Sequence, residues 1–509
     1  MKGRLARILD GIERGGNRLP DPLTLFFLLA AAIVPISFLL HLIGVSVVHP
    51  RSGETFSVVN LMSADGFRRM LTEGVSNFTG FAPLGTVLVA MIGIGVAERS
   101  GCLAALLKLV VIGAGKRLIT PALVFAGIMS SLTADAGYII LPPLGALIFA
   151  SLGRHPFAGL CAVLAGVSGG FSANLFVTVL DPLLAGLTHQ AAILYDPDYV
   201  VTPLANYYFM VASTFLLVPL GWLVTERIVE PRLGVWKGHA AGEMEGVGED
   251  ASRLRPEEKK GLKVAGGVFL ACLAGIALLV LPPGALLYEP DGPLAGLAPF
   301  YQSVIILLAI TLFLPGLAYG LSVGTIRSDK DVSKMTGDTL GTMGTYIVLA
   351  FAAAQFIAYF DWSNLGIILA ISGADLLRWL GLGHLPLLLG VILIAGTINL
   401  FIGSASAKWA VLGVVIVPMM MDLGYSPELS QAAFRVGDSV TNIITPISPY
   451  FPIILAFAQR YDKSIGIGSI IAAMLPYSVA FFIGWACLLT VWFFLGLPLG
   501  PGAPLFYTP

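Results

Sequence analysis

Long apolar tracts recur along the whole chain and constrain its fold more than any other feature. Inside lipid, only helices and closed barrels satisfy every backbone donor and acceptor, and roughly twenty apolar residues make one helical span. The mean hydropathy is +0.88 and 12% of residues are charged, as expected where the solvent is largely lipid. Tracts of this length lie near 23–43, 80–97, 156–186, 205–225, 264–282, 301–325, 340–360, 427–457 and 467–496.

Two further apolar tracts, 118–152 and 384–424, carry small polar residues near their middles. Each is long enough for two half-spans, so we predict two re-entrant helical hairpins, hairpin 1 and hairpin 2. Non-helical backbone at membrane depth is tolerated only where protein buries it or water lines it. The hairpin tips are therefore candidate binding sites. The short amphipathic stretches Leu103–Arg117 and Leu365–Leu380 precede them and are expected along the interface.

A weak internal repeat relates the two hairpins. Shifting the sequence by 271 positions gives nine identities between 131–182 and 402–453, among them Gly166 with Gly437. Both copies are apolar segments interrupted by Gly, Pro and polar residues. Paired interrupted helices in two halves of a membrane protein point to the binding site of a transporter.

The distribution of basic residues predicts the orientation of the repeats. With a cytoplasmic N-terminus, 23 of the 29 Lys and Arg fall in cytoplasmic segments, as the positive-inside rule requires. The span ending near Glu98 then runs inward and the one ending near Asp361 runs outward. We therefore predict an all-α polytopic membrane protein with about nine transmembrane helices, two re-entrant hairpins and inverted-topology repeats.

These assignments predict how the chain is divided. The segments are 1–79 (N-terminal segment and first transmembrane helix), 80–225 (repeat 1, with hairpin 118–152 and a broken helix near 168–182), 226–263 (a cytoplasmic linker), 264–339 (connecting helices), 340–457 (repeat 2, with hairpin 384–424 and a broken helix near 435–449) and 458–509 (last transmembrane helix and tail).

Charged residues in the second broken helix are the strongest functional signal. Arg435 and Asp438 share one helix face. Each costs about 2.5–3.5 kcal/mol at the bilayer centre on insertion scales, so each needs a partner or water. Pro446 then removes a backbone donor and frees carbonyl oxygens that can bind a cation. The alternative is a buried Arg–Asp pair that only fixes packing.

The first broken helix contains Asn174 and Asp181, seven residues apart and on one face if the stretch is helical. Asp181 precedes proline, so the helix is expected to end there and expose carbonyl oxygens beside a carboxylate. Such oxygens make Asn174 and Asp181 candidate Na⁺ ligands, and an isolated buried carboxylate is equally a proton carrier. The alternative places Asp181 at a helix end on the outer interface.

The tip of hairpin 2 carries Ser404 and Ser406, whose small side chains allow close approach, while Asn399 supplies an amide nearby. The half-helix that starts at the tip points its N-terminal amides at a ligand. Trp409 offers a flat face to an aromatic ring, although simple packing explains it equally well. Lys408 either neutralises a substrate carboxylate or pairs with an aspartate.

Several other functions have no support in the sequence. The net charge of −1 gives no basis for nucleic-acid binding. The six histidines form no HExxH or HxxxH pair, and no Walker P-loop or Ser-x-x-Lys pattern occurs. We therefore predict a protein that is not an enzyme and needs no cofactor.

Three segments resemble the p-aminobenzoyl-glutamate transporter (AbgT) family, especially its YdaH-like members: TADAGYIILPPLGALIFASLGRHP (133–156), SANLFVTVLDPL (172–183) and RVGDSVTNIITPISPYFP (435–452). The resemblance covers essentially the whole chain. It implies a bacterial inner-membrane homodimer with a water-filled basin open to the cytoplasm, and cation-coupled movement of folate catabolites. It places the family's site residues at Asp181, Asn399, Ser406, Trp409, Pro427, Arg435, Asp438 and Pro446.

We accordingly predict a secondary transporter of p-aminobenzoyl-glutamate and related folate catabolites, or an exporter of sulfonamide antimetabolites that gives drug resistance. The coupling ion is Na⁺ or H⁺. The predicted substrate-binding residues are Trp409, Asn399, Ser404, Ser406, Pro427, Arg435, Asp438 and Pro446. The predicted cation-binding or proton-carrying residues are Asp181, Asn174, Asp438 and Asn442.

Three alternatives stay open at this point. A sodium-coupled dicarboxylate carrier of similar design would not need Trp409. A passive channel would conduct without dependence on ion gradients. A membrane-embedded hydrolase would need a base beside Ser404 or Ser406, and the histidines are badly placed for it.

Overall fold

The computed structural model describes residues 22–48, 53–133, 136–236, 254–282, 284–289, 296–381, 383–445 and 450–508. Almost all of the described chain is helical, because an apolar tract in lipid must satisfy its own backbone hydrogen bonds. Eight of the described helices are long and apolar enough to cross a membrane. The predicted all-α polytopic fold is confirmed.

The first half of the chain contains one span, a small β-hairpin and repeat 1. Its elements are α1 (Pro22–Ile43), β1 (Ser46–Val48), β2 (Thr55–Ser57), α2 (Ala64–Thr79), α3 (Ala82–Arg99), α4 (Cys102–Gly113), α5 (Ile119–Met129), α6 (Ala136–Ser151), α7 (Pro156–Leu164), α8 (Leu180–Ala192), α9 (Tyr207–Val224) and α10 (Glu230–Leu233). The strands pair antiparallel, with Ser46 opposite Ser57. The strands and α2 were not predicted.

The second half contains the connecting helices, repeat 2 and the last span. Its elements are α11 (Pro256–Val280), α12 (Ala298–Val323), α13 (Asp329–Thr342), α14 (Gly344–Trp362), α15 (Leu365–Trp379), α16 (His384–Asn399), α17 (Ala405–Asp422), α18 (Pro427–Asn442), α19 (Phe451–Gln459) and α20 (Ile467–Phe494). The predicted amphipathic stretches are the helices α4 and α15. Residues 237–253 of the predicted linker lie outside the described residues.

Both hairpins are present where the interrupted tracts predicted them. Hairpin 1 has α5 as its first arm and α6 as its second, with a 3-10 turn at Ser130–Thr133 between them. Hairpin 2 has α16 as its first arm and α17 as its second, joined by residues 400–404. The small and polar residues that interrupt each tract therefore mark a reversal of the chain.

The first broken helix differs from the prediction. It continues from α7 as a π-helical turn at Ala165–Gly169, is irregular from 170 to 179, and resumes as α8 at Leu180. Asp181 therefore lies in the first turn of a helix and not at the end of one, because a proline in that turn has no helical donor to lose. Asn174 and Asp181 would share a face only if the stretch were helical, and the chain between them is not helical up to Leu180.

The second broken helix is interrupted between α18, which ends at Asn442, and α19, which begins at Phe451. The interruption falls near the predicted range 435–449. Pro446 lies outside the described residues, so its predicted release of carbonyl oxygens stays a prediction.

Glycine pairs bring the first arm of each hairpin into backbone contact with the broken helix of its own repeat. In repeat 1, a Cβ on Gly166 would overlap the carbonyl oxygen of Val124 and lie 2.9 Å from the Cα of Gly127. In repeat 2, a Cβ on Gly437 would overlap the carbonyl oxygen of Ile392. The internal repeat aligned Gly166 with Gly437, so this crossing is common to both repeats.

The second arms pack differently. In repeat 1, α6 crosses α7 at Gly145 and Gly159, where each glycine touches the backbone of the other. In repeat 2, the aligned positions hold Ile416 and Ser430. The second arm α17 packs mainly against α8 of the other repeat and against α15, and it also contacts α18.

We expect Gly437→Ala to destabilise the protein, because the added methyl group meets backbone atoms that cannot rotate away. Overpacking of this kind costs about 1–3 kcal/mol. Gly390→Ala on α16 is the matched control, since nothing lies within 4 Å of its Cβ position. Thermal unfolding in detergent should show a lower Tm for Gly437→Ala only, and equal Tm values for both variants would contradict the backbone crossing.

Candidate functional site

The helix α18 is buried all round although it carries many polar residues. All residues from Pro427 to Val440 are buried. Positions three and four apart lie on one face of a helix, and a buried polar face needs partners. This face, called the polar stripe below, consists of Glu428, Gln431, Arg435, Asp438 and Asn442.

Repeat 1 supplies partners for one part of the polar stripe, in antiparallel order. These contacts join Arg435 to Asp181, Gln431 to Thr188, and Glu428 to Tyr199. Residue numbers rise in repeat 1 as they fall along α18. The two segments therefore run in opposite directions, as inverted repeats require.

Asp181 and Arg435 form an ion pair between the repeats. Nη1 of Arg435 lies 2.7 Å from Oδ1 of Asp181, and the two side chains are 5% and 3% exposed. The other carboxylate oxygen accepts hydrogen bonds from the backbone N–H of Thr178 at 2.6 Å and from its hydroxyl at 2.9 Å. Asp181 therefore does not lie at an exposed interface, and the partner of Arg435 is Asp181 and not Asp438.

Arg435 uses only part of its hydrogen-bonding capacity. A guanidinium group has five N–H donors. Nη2 contacts the sulfur of Met210 at 3.1 Å, and Nε has no hydrogen-bond partner among the described residues. Buried donors are usually satisfied. The unused donors make Arg435 a suitable group for a planar anion such as a carboxylate.

Asp438 pairs with Lys408 on hairpin 2. Nζ of Lys408 contacts Oδ1 of Asp438 and Oδ1 of Asn399. All three side chains are buried. Of the two roles considered for Lys408, pairing with an aspartate is therefore the one observed.

Asn399 links the tip of hairpin 2 to the end of α18. Its Nδ2 lies 2.6 Å from the backbone oxygen of Asp438, 2.8 Å from Oγ1 of Thr441 and 2.8 Å from Oδ1 of Asn442. An amide nitrogen carries two protons, so the three acceptors share them. The structure thus brings together three of the predicted polar residues: Asn399, Asp438 and Asn442.

Trp409 is fully buried in this conformation. Its ring stacks on Phe434 with 4.5 Å between ring centroids, and Nε1 donates a hydrogen bond to the hydroxyl of Thr188 at 2.8 Å. The packing interpretation therefore describes this state. An aromatic substrate can stack on Trp409 only after Phe434 moves aside.

The serines at the tip of hairpin 2 interact with each other. The hydroxyl of Ser404 accepts from the backbone N–H of Ala407 at 3.3 Å and contacts the hydroxyl of Ser406 at 3.2 Å. Ser404 is thus the N-cap of α17. One of the amides predicted to face a ligand is therefore already satisfied by a side chain.

Asn174 is bonded to backbone and not to Asp181. Its Nδ2 donates to the carbonyl of Ile128 on α5 at 3.3 Å, and its Oδ1 accepts from the N–H of Phe176 at 3.0 Å. Nearby, the hydroxyl of Ser439 on α18 accepts from the N–H of Ser172 at 3.2 Å. The break in repeat 1 therefore contacts both α5 and α18. These hydrogen bonds do not join Asn174 to Asp181, so the two side chains do not form the predicted Na⁺ site in this state.

Pro427 lies in the first turn of α18, where Ser426 caps the helix by accepting from the N–H of Leu429 at 3.1 Å. Proline is favoured there because its missing N–H has no intrahelical partner. The visible role of Pro427 is thus to start the helix. Pro446 lies outside the described residues.

Sequence reasoning missed several polar residues of the interface between the repeats. They are Glu428 and Gln431 on α18, Thr188 on α8, and Tyr199 after α8. The spacing of three, four, three and four residues along the polar stripe was a readable signal. Thr188 and Tyr199 gave no such signal, because only the tertiary packing of α8 on α18 identifies them.

The site is therefore built from two buried acid–base pairs. No group of three or more His, Cys, Asp or Glu side chains that could hold a metal ion occurs in the described part of the chain. The pairs leave the core close to neutral, which buried charges require. Such pairs can exchange a partner for an anionic ligand or a cation.

Residues 7–507 match the family described as "AbgT putative transporter family". The chain is 37% identical over 496 residues to the p-aminobenzoyl-glutamate transport protein of Escherichia coli (strain K12), covering 97% of this chain and 96% of that protein. Relatives of this kind are transporters and not enzymes.

Two solved structures share the fold. The Alcanivorax borkumensis YdaH transporter is 44% identical, with a TM-score of 0.88 over 95% of this chain and 100% of that one. Neisseria gonorrhoeae MtrF, described among a class of antimetabolite efflux pumps, is 46% identical, with a TM-score of 0.92 over 98% of this chain and 100% of that one.

Removing one member of the Asp181–Arg435 pair should destabilise the protein more than removing both. Asp181→Ala leaves an uncompensated buried guanidinium, which costs about 3–5 kcal/mol, whereas Asp181→Ala with Arg435→Met removes both charges of the pair. A double-mutant cycle by denaturant unfolding in detergent should show strong coupling.

The matched control cycle removes the exposed pair Asp65–Arg68, whose side chains are 89% and 70% exposed. An exposed pair is worth about 0–1 kcal/mol, so its cycle should be nearly additive. Additive effects at Asp181 and Arg435 would show that the two residues do not act as a pair.

Proposed function

Because this chain belongs to the AbgT transporter family, we propose that it is a cation-coupled secondary transporter of p-aminobenzoyl-glutamate and related folate catabolites. The match to the p-aminobenzoyl-glutamate transport protein supports this substrate class. The observation that carries the proposal is the half-satisfied guanidinium of Arg435, buried where the two repeats meet.

The substrate carboxylate binds Arg435 in this proposal. The substrate is an aromatic amine joined to a glutamate, so it presents two carboxylates, and a guanidinium binds a carboxylate through two parallel N–H donors. Arg435 gives one nitrogen to Asp181 and another to a thioether sulfur, which is a weak acceptor. A carboxylate is a far better partner for these donors than the sulfur of Met210.

Coupling follows from the exchange of partners at Arg435. When the substrate carboxylate takes the guanidinium, Asp181 loses its counter-charge inside the protein. A buried carboxylate without a counter-charge binds a proton or a metal cation. Two of the hydrogen bonds to Asp181 come from Thr178, one of them from a backbone N–H that cannot ligate a metal. Once Arg435 leaves, Oδ1 is the freed oxygen of Asp181. One oxygen is enough to hold a proton, whereas a metal cation needs several oxygen ligands, which favours H⁺ over Na⁺ as the ion that Asp181 carries.

The closed core favours a carrier over a passive channel. Measured over whole residues, Asn174, Asp181, Asn399, Arg435 and Asp438 are each at most 4% exposed. A continuous open pore would leave some of these polar side chains in contact with water. Access to the site therefore requires movement of the hairpins, which is the behaviour of an alternating-access carrier.

We propose that the protein lies in the bacterial inner membrane, as a homodimer with its N-terminus in the cytoplasm. The positive-inside distribution supports the orientation, and the family resemblance supports the dimer. The similarity to MtrF, which belongs to a class of antimetabolite efflux pumps, supports export of sulfonamides as a second activity.

We expect Asp181→Asn to abolish gradient-driven accumulation of p-aminobenzoyl-glutamate in proteoliposomes, because an amide cannot take up the coupling proton. Wild-type protein should accumulate substrate under an imposed pH gradient and not under an imposed Na⁺ gradient. Asp422→Asn is the matched control, since Asp422 is also a buried acid paired with an arginine, Arg378, but outside the site.

Wild-type accumulation by Asp181→Asn would refute the role of Asp181. Flux that ignores both gradients would identify a passive channel. Accumulation driven by Na⁺ with a simple dicarboxylate as the better substrate would identify the dicarboxylate carrier.

The charge on Arg435 should matter more for carboxylate substrates than for sulfonamides, which share the aromatic amine but lack the glutamate. The double variant Asp181→Asn with Arg435→Gln replaces the ion pair by a neutral pair. In counterflow exchange, its loss of p-aminobenzoyl-glutamate exchange should be about 10–100-fold greater than its loss of sulfonamide exchange. This factor corresponds to one charged hydrogen bond, which is worth about 1.5–3 kcal/mol. Asp181→Asn alone, which keeps the arginine, is the control. Equal losses for both substrates would show that Arg435 does not bind the carboxylate.

A further inference from the structure

The environment of Lys408 is that of a bound cation. Nζ is buried and contacts a carboxylate oxygen, Oδ1 of Asp438, and an amide oxygen, Oδ1 of Asn399. Carboxylate and amide oxygens are the donors that hard cations such as Na⁺ and Ca²⁺ prefer. The ammonium group thus occupies a position that a free metal cation could also fill.

The internal repeat shows that this ammonium belongs to one repeat only. The shift that aligns Ser404 with Thr133 aligns Lys408 with Gly137. Gly137 is buried, and a Cβ there would overlap the hydroxyl oxygen of Ser130. A side chain at this position of hairpin 1 would therefore have to displace Ser130, whereas hairpin 2 carries its lysine there.

We propose that Lys408 is a tethered cation that permanently fills a monovalent-cation site of hairpin 2, formed by Asp438 and Asn399. In the wild-type protein this site binds no exchangeable ion, because the ammonium group is held there by the chain. One consequence, that ion exchange during transport is confined to Asp181, rests on the proposed function.

Truncation of the lysine exposes the site. Lys408→Ala removes the ammonium and the stem that carries it, and leaves the carboxylate of Asp438 buried without a counter-charge. An uncompensated buried charge is strongly destabilising unless another cation replaces the lost one. The oxygens of Asp438 and Asn399 are then available to Na⁺.

The test is the effect of Na⁺ on the stability of the full-length protein in detergent, with no transport measured. Tm is recorded against NaCl concentration and against choline chloride at matched ionic strength. We expect Lys408→Ala to gain a saturable stabilisation by Na⁺ that is absent from the wild type and from Lys408→Ala with Asp438→Asn. Choline, which is too large for the site, should have no such effect.

The proposal is overturned if Lys408→Ala shows the same Na⁺ response as the wild type, or if it is stabilised by acidification instead of Na⁺, because Asp438 would then simply bind a proton. It is also overturned if Lys408→Ala fails to accumulate in Na⁺ medium while the double variant accumulates normally. The measurement is of stability and not of transport. A negative result for the Lys408 site therefore does not affect the proposed transport function, and a negative transport result does not affect the Lys408 site.

Discussion

The charges buried on α18 are the constraint on which the rest of the structure depends. Charges buried in a membrane need a partner or water, and α18 presents one base, Arg435, and two acids, Glu428 and Asp438, on a single face. The partner of Arg435 comes from repeat 1, and that of Asp438 comes from hairpin 2 of its own repeat. Charge neutralisation therefore fixes where α8 and α17 lie against α18, and with them the relative position of the repeats.

The repeats are alike in scaffold and different in chemistry. Tyr138 and Trp409 are aligned by the internal repeat, and each stacks on an aromatic ring of the second broken helix, Tyr138 on Tyr450 at 4.2 Å and Trp409 on Phe434. Their hydrogen-bond partners come from different repeats. Tyr138 is hydrogen-bonded to Ser168 of its own repeat, whereas Trp409 is hydrogen-bonded to Thr188 of the other repeat. Inverted symmetry thus supplies the architecture, and individual substitutions such as lysine for glycine make the two halves chemically distinct.

Sequence patterns predicted the spans, both hairpins and the importance of Arg435 and Asp438, because those features follow from hydropathy and from the cost of charge in lipid. They did not predict which acid pairs with which base. Arg435 and Asp438 share a helix face and could have paired locally, but each is bonded to another element, and only tertiary packing decides that. The Asp181–Pro182 dipeptide was assigned to the end of a helix because the residue before a proline disfavours helical geometry. The bonds from Thr178 to Asp181 show that it begins one.

The glycine crossings also show which helix contacts in the two hairpins are made by backbone atoms. Hairpin 1 touches the backbone of its own repeat through both arms, at Gly127 with Gly166 and at Gly145 with Gly159. Hairpin 2 has the corresponding contact in its first arm, at Gly437, and the positions aligned with Gly145 and Gly159 hold Ile416 and Ser430. Backbone contacts of this kind interlock two helices and resist displacement, while side-chain contacts can be remade in a new register. Hairpin 1 is therefore held to its own repeat by backbone contacts in both arms, whereas the second arm of hairpin 2, which carries Lys408 and Trp409, is held by side-chain contacts that can be remade.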